Sequence, residues 1–161
     1  MAEGCGVRPA HPQGRRRAVR LFRGRGRLQG HIDGVIVGGP EGFAYPALWE
    51  CKCLGNKSWR ELEKNSLAVA KPIYAAQVAI YQAYLELTEH PAIFTAINAD
   101  TMEIYTELVP FDAALAQRMS DRAVKVITAT DAGELLPRAV NDQTHFECRM
   151  CAWQDRCWSK T

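Results

Sequence analysis

The octapeptide Pro46-Ala47-Leu48-Trp49-Glu50-Cys51-Lys52-Cys53 sets a carboxylate and an ammonium two residues apart inside an apolar run. Side chains two apart in a strand share a face, so Glu50 and Lys52 are expected to point the same way from a buried strand. Burying two ions costs on the order of several kcal/mol unless each finds a partner. The pair is therefore either a satisfied ion pair or a reaction centre. Upstream, Gly30-His31-Ile32-Asp33-Gly34-Val35-Ile36-Val37 is a second apolar strand pattern, and it presents one acid, Asp33. An Asp and a Glu on neighbouring strands, with a Lys beside them, make a site for a hard divalent cation and an electrophilic phosphate.

The order of elements supports that juxtaposition. A Gly- and Pro-rich turn over 38–42 separates a strand over 30–37 from a returning strand over 43–54, and this hairpin brings Asp33 near Glu50. Gly55-Asn56-Lys57 breaks the strand, Ser58 is predicted to cap a short helix reaching Lys64, and Pro72 suits the first turn of a helix running to about Leu87. That helix is expected to bury Ile73, Ala76, Ile80, Tyr84 and Leu87, with Gln77 and Tyr81 one turn apart on an adjoining face. A second hairpin is predicted from strands over 92–98 and 102–109. Phe111-Asp112 then opens a helix whose Leu115, Met119, Ala123, Val126 and Ile127 are expected to cover one face of the sheet. Cys51 and Cys53 alternate with Glu50 and Lys52 and are expected in the core as small hydrophobes, while Trp49 and Trp59 read as packing residues.

The chain has 161 residues, 47% of them hydrophobic, which suits one globular domain with an ordinary core. No apolar run approaches about 18 residues, and no N-terminal apolar segment precedes a small-residue cleavage site. No membrane partner and a cytoplasmic location are therefore expected. The net charge of +2 conceals an asymmetry. Residues 1–30 hold eight Arg and one Glu, whereas 31–161 hold twelve Lys or Arg against seventeen acids, giving an arm near +7 and a body near −5. The arm suits phosphate backbones. Low periodicity and Gly, Pro and Arg content predict a poorly ordered basic tail over 1–29, with one short edge strand within 17–28. Residues 30–161 form the expected domain.

Taken together, Gly30-x-x-Asp33, Glu50-x-Lys52 and Gln77-x-x-x-Tyr81 resemble the PD-(D/E)XK nuclease superfamily, specifically its RecB-type branch of phage and CRISPR-associated exonucleases. The resemblance covers roughly residues 30–158. It implies an α/β fold with a restriction-endonuclease-like core, a mixed central sheet flanked by helices. It also implies a metal-dependent DNA exonuclease working at ends or on single strands in phage or bacterial DNA processing or recombination. Asp33, Glu50 and the backbone carbonyl of Cys51 would bind Mg²⁺ or Mn²⁺, with His31, in phase with Asp33, nearby. Lys52 would orient or deprotonate a water or stabilise the transition state, and Gln77 and Tyr81 would contact the substrate backbone or brace the strand. The family pattern places a helix, with a metal ligand and a cysteine, ahead of the first motif. The Arg-rich segment stands there instead, which reads as a truncated or misplaced start. The reading from another class is a non-catalytic nucleic-acid-binding module stabilised by a Cys-bound metal.

Of six cysteines, Cys148, Cys151 and Cys157 sit at spacings of three and six, which lets their thiolates converge on an iron–sulfur cluster or Zn²⁺. The resemblance implies a [4Fe-4S] cluster completed by an upstream cysteine, for which Cys5 is the candidate. His145, three residues before Cys148, is a local fourth ligand that would favour Zn²⁺. A third reading is an empty module, about 145 onward, in which Phe146, Trp153 and Trp158 pack the terminus against the core.

Overall fold

The computed structural model describes residues 19–21 and 28–159, so expectations for residues 1–18, Cys5 among them, lie outside the described residues. The elements run β1 (Val19–Leu21), β2 (Leu28–Gly30), β3 (Gly34–Ile36), β4 (Ala47–Leu54), α1 (Asn56–Ala70), α2 (Pro72–Tyr84), β5 (Ala92–Asn98), β6 (Ile104–Val109), α3 (Ala113–Ala132), α4 (Phe146–Arg149) and α5 (Gln154–Trp158). β1 and β2 form a separate antiparallel pair. The main sheet is mixed, in the order β3-β4-β5-β6, with β4 and β5 parallel and the outer pairs antiparallel. Parallel neighbours need a crossover, and α1 and α2 supply it.

That crossover decides which face of the sheet is buried. Trp59 of α1 donates its indole N–H to the Ala96 carbonyl at 2.9 Å. Tyr74 of α2 stacks on Phe94, with ring centroids 6.4 Å apart. Leu48, Leu54, Trp59, Leu62, Leu67, Val78, Tyr81 and Phe94 close the core between helices and sheet. The chain divides into two compact units with the boundary inside α3, at Val124 and Lys125, ahead of the expected module start near 145. No helix among the described residues is long and apolar enough to cross a membrane.

Several local expectations are corrected. The strand predicted over 30–37 is two strands: β2 pairs with β1, β3 pairs with β4, and His31, Ile32 and Asp33 lie between them. The returning strand begins at Ala47 and not Phe43. Pro46 has no N–H for a ladder, and Gly42 turns the chain at φ +94°. α1 extends past Lys64 to Ala70, broken at Ser66, whose φ of 63° and ψ of 169° are not helical. Its start is held by a polar ring and not by Ser58. The Asn56 N–H donates to Asp100 Oδ2 at 2.7 Å, Asn98 Nδ2 donates to Asn56 Oδ1 at 3.0 Å, and the Asp100 N–H donates to Asn98 Oδ1 at 3.0 Å. This satisfies an orphan helix N–H and a fully buried Asn98 together.

α2 ends at Tyr84, and its buried stripe is Ala75, Val78, Ala79, Tyr81 and Gln82. Ile73, expected in that stripe, is 74% exposed. On α3, Leu115 packs against the core and Tyr84 Oη lies 2.8 Å from Ser120 Oγ; Met119, Ala123 and Ile127 are half-buried, whereas Val126 of the expected stripe is exposed.

Candidate active site

Alternation along β4 places Leu48, Glu50, Lys52 and Leu54 on one face, the face covered by α1 and α2. Cys51 and Cys53, expected in the core, lie on the opposite face, where Cys51 is half-buried and Cys53 exposed. The crossover thus covers the face that carries the charges.

Glu50 is 1% exposed, and its Oε1 accepts a hydrogen bond from the Lys52 ammonium, whose side chain is 20% exposed. The other carboxylate oxygen, Oε2, is buried with no hydrogen-bond partner among the described residues. Burial pushes the Glu50 carboxyl above its ordinary value; the hydrogen bond and charge of Lys52 pull it back, and the charge of Asp33 pushes it up again. Two acids close enough to repel, one of them with an unsatisfied buried oxygen, form an arrangement that a cation would relieve.

Asp33 reaches the site from beyond the end of a ladder. The last β3–β4 pair is Gly34 with Trp49. One step further, the Asp33 side chain replaces backbone, its Oδ2 accepting the Cys51 N–H at 2.8 Å. The Asp33 carboxylate therefore sits on the amide of the residue between Glu50 and Lys52. Their oxygen donors suit a hard ion such as Mg²⁺ or Mn²⁺. Among the described residues, no group of three or more His, Cys, Asp or Glu side chains gathers as a metal centre. The pair would thus need backbone carbonyl and solvent oxygens to complete a shell. His31 is exposed.

Gln77 and Tyr81 are joined, Gln77 Nε2 donating to Tyr81 Oη at 3.1 Å. Tyr81 is buried, and its ring lies so close to Gly30 that a Cβ there would sit 2.6 Å from Cε1 and 2.8 Å from Oη. The sequence reading missed Tyr74, whose ring centroid lies 5.2 Å from Lys52 Nζ. Its place three residues before Gln77, one helical turn away, was the available signal.

In the C-terminal unit, Cys148 is half-buried while Cys151 and Cys157 are exposed. The Trp153 N–H donates to Cys151 Sγ at 3.4 Å, and the Cys151 N–H to the Cys148 carbonyl at 3.0 Å. His145 Nδ1 accepts the Glu147 N–H at 3.4 Å, capping α4. Phe146 and Trp153 are exposed. Trp158 is half-buried, with the Arg138 guanidinium 4.4 Å over its ring.

No family model matches the chain, and no curated protein matches it. A solved structure, that of the protein designated SSO0001, is similar at 16% identity with a TM-score of 0.46, over 83% of this chain and 52% of the other. The chain spans about half the length of that protein, and a likeness of this strength leaves the function to be read from the residues themselves.

Proposed function

We propose that the chain is a Mg²⁺- or Mn²⁺-dependent deoxyribonuclease, an exonuclease that hydrolyses phosphodiester bonds at DNA ends or on single strands in phage or bacterial DNA processing or recombination. The observation that carries this reading is the Asp33 carboxylate seated on the Cys51 amide, beside a buried Glu50 with one oxygen unpartnered and the other on Lys52. It agrees with the resemblance to the PD-(D/E)XK nucleases and their restriction-endonuclease-like core.

A divalent cation bound there would supply Lewis acidity at the phosphate and a lowered pKa for a bound water. Asp33 and Glu50 would hold it, with the Cys51 carbonyl as a third oxygen. Lys52 lies on the same face as Glu50 and would stabilise charge developing on the phosphate, a contribution of about 3–4 kcal/mol for a preorganised group. The burial of Tyr81 and its contact with Gly30 favour bracing of the strand over substrate contact for Gln77 and Tyr81.

The C-terminal cysteines form a second centre in this reading, a [4Fe-4S] cluster on Cys148, Cys151 and Cys157 with Cys5 as fourth ligand, or Zn²⁺ with His145. The N–H···S bond to Cys151 is of the kind that tunes a ligating thiolate, and the His145 ring nitrogen already engaged in capping α4 weighs against zinc. A second reading, a non-catalytic nucleic-acid-binding module, draws on the exposed Trp153, with the Arg156 guanidinium 6.0 Å over its ring, as a stacking platform. End-labelled DNA incubated with Mg²⁺, Mn²⁺ or EDTA separates the two. A nuclease shortens the DNA in a metal-dependent way, and a binding module retards it on a gel at full length.

A further inference from the structure

Among the described residues, Lys52 has two partners of different kinds. One is the Glu50 carboxylate, the same group that the nuclease reading assigns to a divalent cation. The other is the face of Tyr74, 5.2 Å from ammonium to ring centroid. A cation drawn to Glu50 competes with Lys52 for the carboxylate, and the ion pair weakens when the site is loaded. An aromatic face carries no formal charge and holds an ammonium through its quadrupole, so the same competition does not remove it.

The ring is itself anchored. Tyr74 is half-buried on α2 and stacks on Phe94, which is fully buried and sits beside Glu50 in the β4–β5 register. Phe94 therefore fixes Tyr74 with respect to the strand that carries both Glu50 and Lys52. We infer that Tyr74 is a positioning residue for the phosphate-directed charge: its ring keeps the Lys52 ammonium over the strand once Glu50 is engaged elsewhere. This inference rests on the nuclease reading, but the contact that carries it is measurable without catalysis.

The test compares the full chain with Tyr74→Phe, Tyr74→Leu and a variant bearing pentafluorophenylalanine at position 74, which keeps ring volume while reversing the quadrupole. Single-turnover cleavage of labelled DNA in Mn²⁺ should show Tyr74→Phe near wild type. Tyr74→Leu and the fluorinated ring should each lose about tenfold in rate at saturating DNA, with KM unchanged. In chelator, the Lys52 ε-methylene signals, assigned by their loss in Lys52→Arg, should lie upfield under the Tyr74 ring and move downfield in Tyr74→Leu. The fluorinated variant keeps the test alive if Tyr74→Leu fails to fold. Equal rates in all four proteins, or Lys52 signals that ignore the loss of the ring, would overturn the assignment. A wild-type protein that cleaves nothing while its Lys52 signals do respond would instead overturn the nuclease reading, leaving the Tyr74 contact established.

Discussion

Asp33 and Cys51 are joined by a side-chain-to-backbone hydrogen bond of 2.8 Å that takes over where the β3–β4 ladder stops. The bond holds the acid of a loop against the strand carrying Glu50 and Lys52. In consequence, Asp33→Ala, Glu50→Ala and Lys52→Ala should each abolish cleavage, but only the two acid changes should weaken Mn²⁺ binding. Calorimetric titration of the three variants checks this, and Mn²⁺ affinity unchanged in both acid variants would refute the ligand assignment.

Glu50 predicts a pH effect on stability. Its carboxyl is raised above the ordinary 4.5, chiefly by burial, so the fold favours the protonated form. That contribution is fully present below the unfolded value and is lost as pH rises through the raised one. At neutral pH without metal, Glu50→Gln should therefore melt above wild type, by on the order of 1 kcal/mol. Saturating Mn²⁺ should stabilise wild type, by about 2.7 kcal/mol at a hundredfold excess over Kd, and leave Glu50→Gln unmoved. Thermal melts with EDTA or Mn²⁺ decide the matter.

How much of this was readable beforehand depends on the range of the forces involved. β5 occupies its predicted residues and α2 starts at Pro72, because a short apolar run and a proline act locally. The shared face of Glu50 and Lys52 follows from strand geometry alone. Which β4 face becomes the core does not. Leu48 and Leu54 on one side and Trp49, Cys51 and Cys53 on the other are both apolar enough, and only the docking of α1 and α2 chooses. The turn of Ile73 to solvent, the break at Ser66 and the placing of Tyr74 under Lys52 are likewise tertiary effects.

The break at Ser66 leads to a further expectation. It is bridged by Glu107 of β6, whose Oε2 accepts the Leu67 N–H at 2.8 Å and the Tyr105 hydroxyl at 2.6 Å. Glu107→Ala should destabilise the fold by about 1–3 kcal/mol, read as a lowered denaturation midpoint. Burial, followed by Glu107, pushes the Tyr105 phenol up to about 12 from 10.0. The fold keeps that phenol protonated, so the associated stability is intact below pH 10.0 and is lost as pH approaches about 12. Ultraviolet difference titration, with Tyr105→Phe to assign the signal, should find the Tyr105 phenol ionising late in wild type and earlier in Glu107→Ala.

For the C-terminal unit, anaerobic purification followed by iron, sulfide and zinc analysis discriminates the readings of Cys148, Cys151 and Cys157. Iron with stoichiometric sulfide, lost in Cys151→Ser, is the expected result. Zinc without sulfide would move the fourth ligand to His145, and a metal-free protein whose melting is unaffected by Cys→Ser changes would remove the centre altogether.

The contact between Gly30 and Tyr81 makes one physical unit of what look like two signatures. The Tyr81 ring occupies the volume that any side chain at position 30 would need. The glycine ahead of Asp33 and the tyrosine after Gln77 are therefore not independent characters: Gly30→Ala should be rejected against Tyr81, yet tolerated beside a smaller residue there. Among homologues, a lineage that loses the tyrosine would be released from the glycine, and the two positions should change hands together.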